Sequence, residues 1–431
     1  MRGGIRLGAV WGIPLFVDPW WLFILLAFTW DYGRGYRSLT PQPLLFGFLV
    51  AVGLLGSLLS HELAHSLTAK RCGAKVQAIS LFPLRAVTSI EGEFPKPGTL
   101  FQVAIAGPLC NLAIGVLLLW GAAWCSDGGI FTASRNVKPE EWQAALTNLA
   151  QTVGAARTLF SLMALQVAQA NLLLALINLI PGLPMDGGHA LKAAIWKLTG
   201  DRLTGIRWSA GTGQTFGLLL LLVGLALFLL GAIGGLLFAL MGFFITSSAL
   251  ANLQTATLQH ALYTVTAEAA MTRDFRLLDA EMSLRQFTDE HLVFSEHTHH
   301  GALFYATANG RDRGLVNPDK LRSIDRHAWD STPLSALVIP TAELVSVQLT
   351  DLLATVIQKL EQTGLNHLTV VSPVGSIAGV IDRGDLLRAL GRKLQWRIPE
   401  ETIAQVKRDG KFPPNLPLLE LLTSLEDIPK P

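Results

Sequence analysis

Long runs without a charged residue alternate with short polar segments over roughly the first 255 residues, and the pattern then changes to short helical and β-like runs. Pro41 to Ser60, Thr99 to Ser126 and Thr158 to Met185 are uncharged, each long enough for a helix to cross a hydrocarbon core of roughly 30 Å. Pro19 to Trp30 is aromatic and short, and reaches spanning length only if it starts near Ile13 and includes Asp18. The longest run holds no Asp, Glu, Lys or Arg between Trp208 and Ala267. Within it Gly217–Leu230 and Leu236–Leu250 flank a Gly-Ala-Ile-Gly-Gly turn at 231–235, which predicts two spans in a hairpin and six in all. Buried helices of a water-soluble protein would need apolar runs of only about 10–14 residues. Trp20, Trp21 and Trp30 suit a membrane interface, and the first stretch lacks a small-residue cleavage site, so it is expected to stay in the membrane.

From about Ala261 two similar series follow each other. Met271-Thr-Arg-Asp-Phe, Leu284-Arg-Gln-Phe, Ala302-Leu-Phe-Tyr and Gly314-Leu-Val form the first. Leu344-Val-Ser-Val, a helical run from Leu352, His367-Leu-Thr-Val-Val, Ile377-Ala-Gly-Val-Ile and Asp385-Leu-Leu-Arg-Ala-Leu form the second. Leu352, Leu353, Val356, Ile357 and Leu360 have the spacing of a helix lying on a sheet. The series predict a tandem βαββα module, with units at 262–330 and 331–392 behind a membrane domain at 1–255. The proline-containing tail, 393–431, reads as an extended arm with one short amphipathic helix around Leu418–Leu425.

Charge sharpens this division. Only 15% of the 431 residues are charged, against about 25% in ordinary soluble domains. Residues up to Thr255 carry 16 Lys and Arg and 10 Asp and Glu, and the rest carry 18 and 22. The net charge of +2 and the lack of a basic run exclude a nucleic-acid partner. Cys72, Cys110 and Cys125 form no disulfide framework and no zinc-ribbon spacing. With six spans both termini share a side. That side would hold Arg2, Arg6, Lys70, Arg71, Lys75, Arg85, Lys96, Lys192, Lys197, Arg202 and Arg207, against Arg34, Arg37, Arg135, Lys138 and Arg157 opposite. The positive-inside rule then puts both termini, and the C-terminal module, in the cytoplasm.

His61-Glu-Leu-Ala-His65 closes the second apolar stretch. Residues four apart on a helix lie on one face, about 5–6 Å apart at Cβ, which suits two imidazoles on one zinc. Glu62 stands beside them to take a proton from water. Three ionisable groups at membrane depth must face a protein-lined or water-filled cavity, and Ser57 and Ser60 could help line it. A catalytic zinc also needs a third protein ligand. The segment Asn178-Leu-Ile-Pro-Gly-Leu-Pro-Met-Asp-Gly-Gly-His189 supplies one: Pro181 and Pro184 break the helix, and such backbone survives at membrane depth only where it lines a cavity. Asp186 is the candidate there, with His189 a competing ligand.

The two motifs together resemble the site-2 protease family of intramembrane zinc metalloproteases, peptidase family M50, over roughly residues 5–255. The resemblance implies that His61, His65 and Asp186 bind one catalytic zinc, that Glu62 is the catalytic glutamate, and that Asn178 holds the substrate backbone. Ala106-Gly-Pro-Leu-Cys-Asn111 resembles the family's opening of the third span, and Asn111 is placed with Asn178 as substrate-binding. Ile79-Ser-Leu-Phe-Pro-Leu-Arg-Ala-Val resembles the family's β stretch, with Arg85 and Ala86 in place of a glycine pair. The segment Pro181-Gly-Leu-Pro-Met-Asp likewise departs from the common Pro-x-Pro-x-Leu-Asp.

The C-terminal series resemble a pair of cystathionine-β-synthase (CBS) domains, whose Gly-hydrophobic-hydrophobic-Thr/Ser-x-x-Asp element lines an adenine-nucleotide cleft. Asp385 matches the ribose-binding aspartate, Asp382 replaces the hydroxyl residue, and Lys320 stands where the first unit's aspartate belongs. One functional cleft at most is implied; a purely structural or homodimerising pair is the alternative. His291, His297, His299 and His300 read as a solvated cluster. The expected architecture is therefore an α-helical polytopic membrane domain of six transmembrane helices with a short β insertion, followed by a soluble α/β tandem CBS domain. The expected activity is hydrolysis within or near transmembrane helices of membrane-protein substrates, close to the cytoplasmic face of a lipid bilayer. The rival readings are a CBS-gated transporter or channel, and a non-proteolytic relative that only binds membrane segments.

Overall fold

The computed structural model describes residues 4–37, 40–82, 85–91, 94–136, 141–292 and 303–413. The chain divides into two compact units between Gln254 and Thr255.

The first unit opens with a hairpin that periodicity did not predict, β1 (Ile5–Val10) and β2 (Ile13–Val17). Trp11 and Gly12 both have positive φ, and Val10 pairs with Ile13. A two-residue turn of this hand matches the twist of the flanking strands. Asp18 then ends β2 and starts helix α1 (Trp20–Gly35), its Oδ1 accepting from the Trp20 amide at 2.9 Å. This turn shortens the helix of the first predicted span. Ile13 to Val17 is strand, so α1 has 16 residues, about 24 Å of helix.

Among the described residues five helices are long and apolar enough to cross a membrane: α2 (Pro43–Arg71), α3 (Pro97–Cys125), α6 (Ala155–Asn178), α8 (Arg202–Leu229) and α9 (Gly234–Leu262). Two amphipathic helices, α4 (Gly129–Asn136) and α5 (Trp142–Val153), lie between α3 and α6. They bring Ile130, Leu146 and Leu149 into one core with Phe46 and Val50 of α2 and Leu162 and Leu165 of α6. A further helix, α7 (Asp186–Thr199), follows the broken segment after α6.

Strands β3 (Lys75–Phe82) and β4 (Arg85–Glu91) complete a sheet of order β1-β2-β3-β4. Arg85 and Ala86, which replace the family's glycine pair, begin β4 opposite Phe82 and Leu81. Ile13, Leu15, Ile79 and Leu81 form a core with Leu55, Leu59, Leu63 and Leu67 of α2. Those leucines recur every fourth residue, so they mark one side of α2. At 3.6 residues per turn His61 and His65 fall on the opposite side, and Glu62 falls between the two. The sheet thus fixes the rotation of α2 about its axis, and with it the direction of the histidines.

In the second unit β5 (Phe275–Asp279), β6 (Leu303–Ala308), β7 (Arg311–Val316) and β8 (Val338–Pro340) form one sheet. Strands β9 (Ser346–Gln348), β10 (His367–Val371) and β11 (Ile377–Asp382) form another. In both, the helix-linked pair is parallel and the hairpin antiparallel: β5 with β6 and then β7, β9 with β10 and then β11. The helices are α10 (Ala267–Ala270), α11 (Leu284–Phe287), α12 (Leu353–Thr363), α13 (Arg383–Leu394) and α14 (Glu400–Asp409). Leu353, Val356, Ile357 and Leu360 are fully buried, whereas Leu352 is the half-buried N-cap.

The boundary predicted at 330/331 does not follow the sheets. Strand β8 pairs with β7 of the first sheet, and Ala267 and Ala270 of α10 lie in the core of the second. Each half therefore borrows a segment from the other, which a linear repeat does not reveal. The tail beyond 393 is also not extended throughout, because Ile403 and Val406 of α14 pack on Leu387 of α13. The helix predicted at Leu418–Leu425, and His297, His299 and His300, lie outside the described residues. His291 sits in a π-helical turn, Thr288–Leu292. All three cysteines are free.

Candidate metal centre and active site

His61 and Glu62 lie on one turn of α2 and His65 on the next, and all three are buried. Asp186 comes from the first turn of α7, after the Pro-Gly-Leu-Pro segment. That segment is tied to α8: the Leu183 amide donates to the Ser209 carbonyl at 3.0 Å, Ser209 Oγ donates to the Gly188 carbonyl at 2.6 Å, and Thr212 Oγ1 donates to the Pro181 carbonyl. The approach depends on glycine, since a Cβ on Gly182 would stand 2.6 Å from the Gly213 backbone. Helix α8 thereby anchors the loop that carries Asp186 to α2.

The ligand atoms converge. The Nε2 atoms of His61 and His65 are 3.0 Å apart, and Asp186 Oδ2 lies 3.1 Å from the first and 3.3 Å from the second. Bonds of about 2.0–2.1 Å to a tetrahedral zinc imply ligand separations of about 3.3–3.4 Å. The triangle therefore fits one such ion. Space for it exists as well. A Cβ on Gly107 of α3 would fall against both Nε2 atoms, 2.6 Å from that of His61, so the missing side chain leaves a cradle where an ion would sit.

Helix α3 sets the ring tautomers. His65 Nδ1 lies 2.6 Å from the Val103 carbonyl, which can only accept, so Nδ1 carries the proton and Nε2 keeps its lone pair. The side-chain amide of Asn111, which is fully buried, lies 3.0 Å from His61 Nδ1. Asn111 Oδ1 otherwise has no partner. Turning the amide so that Oδ1 accepts from Nδ1–H satisfies both groups and frees His61 Nε2 as a ligand. Val103, Gly107 and Asn111 are spaced four apart, so one stripe of α3 backs both imidazoles. The burial and the contact support a role for Asn111 in orienting the His61 ring. Asn111→Ala is expected to weaken zinc about 10–100-fold, read by competition with a chelator; unchanged affinity would refute the orienting role.

Glu62 lies outside the three-residue cluster. Its Oε2 accepts from Thr88 Oγ1 on β4 at 2.9 Å, and Thr88 Oγ1 is 3.1 Å from Ser66 Oγ. The sheet that orients α2 therefore also holds the carboxylate. His189 lies outside the cluster among the described residues, and Asn178 is the half-buried last residue of α6. Ser57 and Ser60 line a cavity of about 330 Å³ between α2, α3 and α6. Asn171 of α6, which the sequence reading missed, donates to Ser57 Oγ at 2.8 Å. Asp385 is in the other unit.

Two imidazoles and a carboxylate around one cradle, beside a carboxylate that is not a ligand, are the donor set of a metal-dependent hydrolase. The comparisons specify the class. The chain matches peptidase family M50 over residues 49–224 and the CBS domain over residues 336–392. It is 30% identical over 396 residues to a Synechocystis protein named as a zinc metalloprotease, sll0528, covering 90% of this chain and 96% of that one. It is 27% identical over 398 residues to one from Mycobacterium tuberculosis, Rip3, covering 90% and 93%. The protein belongs to peptidase family M50, the site-2 protease family of zinc metalloproteases. Among solved structures it is similar to a site-2 protease from Methanocaldococcus jannaschii, at 25% identity over 58% of this chain and 95% of that chain, with a TM-score of 0.36.

Proposed function

We propose that the protein is an intramembrane endopeptidase that hydrolyses peptide bonds within or near transmembrane helices of other membrane proteins. One observation carries this reading: a His61–His65–Asp186 donor triangle, with Glu62 beside it, borne on an apolar helix of membrane-spanning length and on the helix after its broken partner. Zinc held by the triangle would supply a Lewis acid for the scissile carbonyl and for a water nucleophile. Glu62 would take the proton of the attacking water and pass it to the leaving amine. Thr88 would hold Glu62 during that exchange. Asn178 is read as a contact to the substrate backbone. A substrate helix must unwind to present its amide, and β4, an outer strand of its sheet, offers an edge next to Glu62 for an extended segment.

Strand β2, before α1, pairs with β3, after α2, so the chain returns to the same face across α1 and α2. The asymmetry of Lys and Arg then supports an active site near the cytoplasmic face with both termini and the CBS pair on that side. The CBS pair is read as a regulatory module that takes an adenine nucleotide at Asp385. A transporter is disfavoured because the ionisable groups gather at one centre on α2 and α7 rather than along a pathway. The test compares membrane-protein fragments from cells making the wild type or Glu62→Gln. The expected result is fragments ending inside transmembrane segments only with the wild type; identical fragment sets would reject the proposal.

A further inference from the structure

Asp385, read above as the ribose-binding aspartate, is 1% exposed, and its oxygens are already engaged. Its Oδ1 accepts from Lys407 Nζ at 2.7 Å and from Arg388 at 3.3 Å. Its Oδ2 accepts from Thr272 Oγ1 and from the Asp382 amide, each at 3.3 Å. Asp382 caps α13 through the Asp385 amide at 2.8 Å and also pairs with Lys407 at 3.0 Å. Lys407 belongs to α14, which lies beyond the residues matched as a CBS domain.

Helix α14 packs against this end of α13. A Cβ on Gly384 would run into the Lys407 stem and stand 3.1 Å from the Ile403 carbonyl. The apolar hold is small: Ile403 and Val406 cover Leu387, with Ile398 partly buried beside them. Pro399 and Gly410 bound the helix, Gly410 in the left-handed region. The charges provide the rest. Burial and the neighbouring Asp382 push the Asp385 carboxyl up, and Lys407 pulls it back. Burial acts against the Lys407 ammonium, yet the two carboxylates raise it above its ordinary value. The site is thus filled by a cation from the chain itself, attached through a short helix with one narrow apolar face.

We propose that α14 is a displaceable internal cover of the second CBS unit, with Lys407 occupying the carboxylate pair Asp382–Asp385, so that an adenine nucleotide reaches Asp385 only when α14 leaves. This rests on the nucleotide reading above and adds the device that regulates the site. Each Asp385 oxygen already accepts two donors, Lys407 and Arg388 on one and Thr272 and the Asp382 amide on the other, which fills the carboxylate's acceptor sites. A ribose diol must therefore displace a resident donor and competes with Lys407.

The test uses the full-length protein in detergent, titrated with AMP by calorimetry, with hydrogen exchange of the 400–409 amides followed in parallel. The wild type is expected to lose protection across α14 as AMP binds. A double variant, Ile403→Asp with Val406→Asp, removes the apolar hold without touching Asp385, and is expected to bind AMP at least about 10-fold more tightly. Asp385→Ala in that background should reverse the gain. AMP binding equally well to wild type and double variant, with α14 protected throughout, would overturn the cover while leaving the nucleotide reading intact. No AMP binding even in the double variant would overturn both.

Discussion

Glu62→Gln is expected to lower peptide-bond hydrolysis by about 10²- to 10⁴-fold, the range that a positioned general base contributes, while zinc content stays at the wild-type level. The separation follows from geometry. The donor triangle is complete without Glu62, whose carboxylate is instead held by Thr88 at 2.9 Å. Glutamine preserves shape and the contact to Thr88 but cannot take a proton. Initial rates on a model transmembrane substrate, with zinc measured on the same preparations, decide the matter. Zinc loss in Glu62→Gln would make Glu62 a ligand, and unchanged turnover would remove it from the mechanism.

The second large effect is expected from Gly107→Ala, which adds one methyl group. That carbon would fall against the Nε2 atoms of both His61 and His65, at the position the ion needs. Zinc should drop to background and activity with it. Alanine favours a helix more than glycine does by about 1 kcal/mol, so α3 itself should tolerate the change. Retained helicity by circular dichroism with zinc absent is the expected pair of results. A zinc-loaded, active Gly107→Ala protein would show that the cradle lies elsewhere.

Local chemistry was legible in the sequence where it depended on spacing along one helix. His61 and His65 are one turn apart, and the structure turns both to one side of α2. Asp186 stood out because two prolines and three glycines break the backbone around it. The α12 face was visible from Leu353 to Leu360 for the same reason of periodicity. What stayed hidden depends on neighbours distant in sequence. Gly107 reads as an ordinary helix glycine until α2 is placed against it. Thr88 gains its role only when β4 reaches Glu62, 26 residues away. The β1–β2 hairpin was hidden because the aromatic run after Asp18 appeared to extend through it. Lys407 looked like a tail residue, since no pattern within α14 announces a partner 22 residues back in α13.

The central claim, that His61, His65 and Asp186 hold one zinc, is tested most directly by zinc content per purified chain in the wild type, Asp186→Ala and His189→Ala. The account predicts about one zinc per chain in the wild type and in His189→Ala, and loss of most of it in Asp186→Ala, because a third ligand completes the site. Full zinc in Asp186→Ala together with loss in His189→Ala would contradict it and move the third ligand to the other end of the Asp-Gly-Gly-His turn.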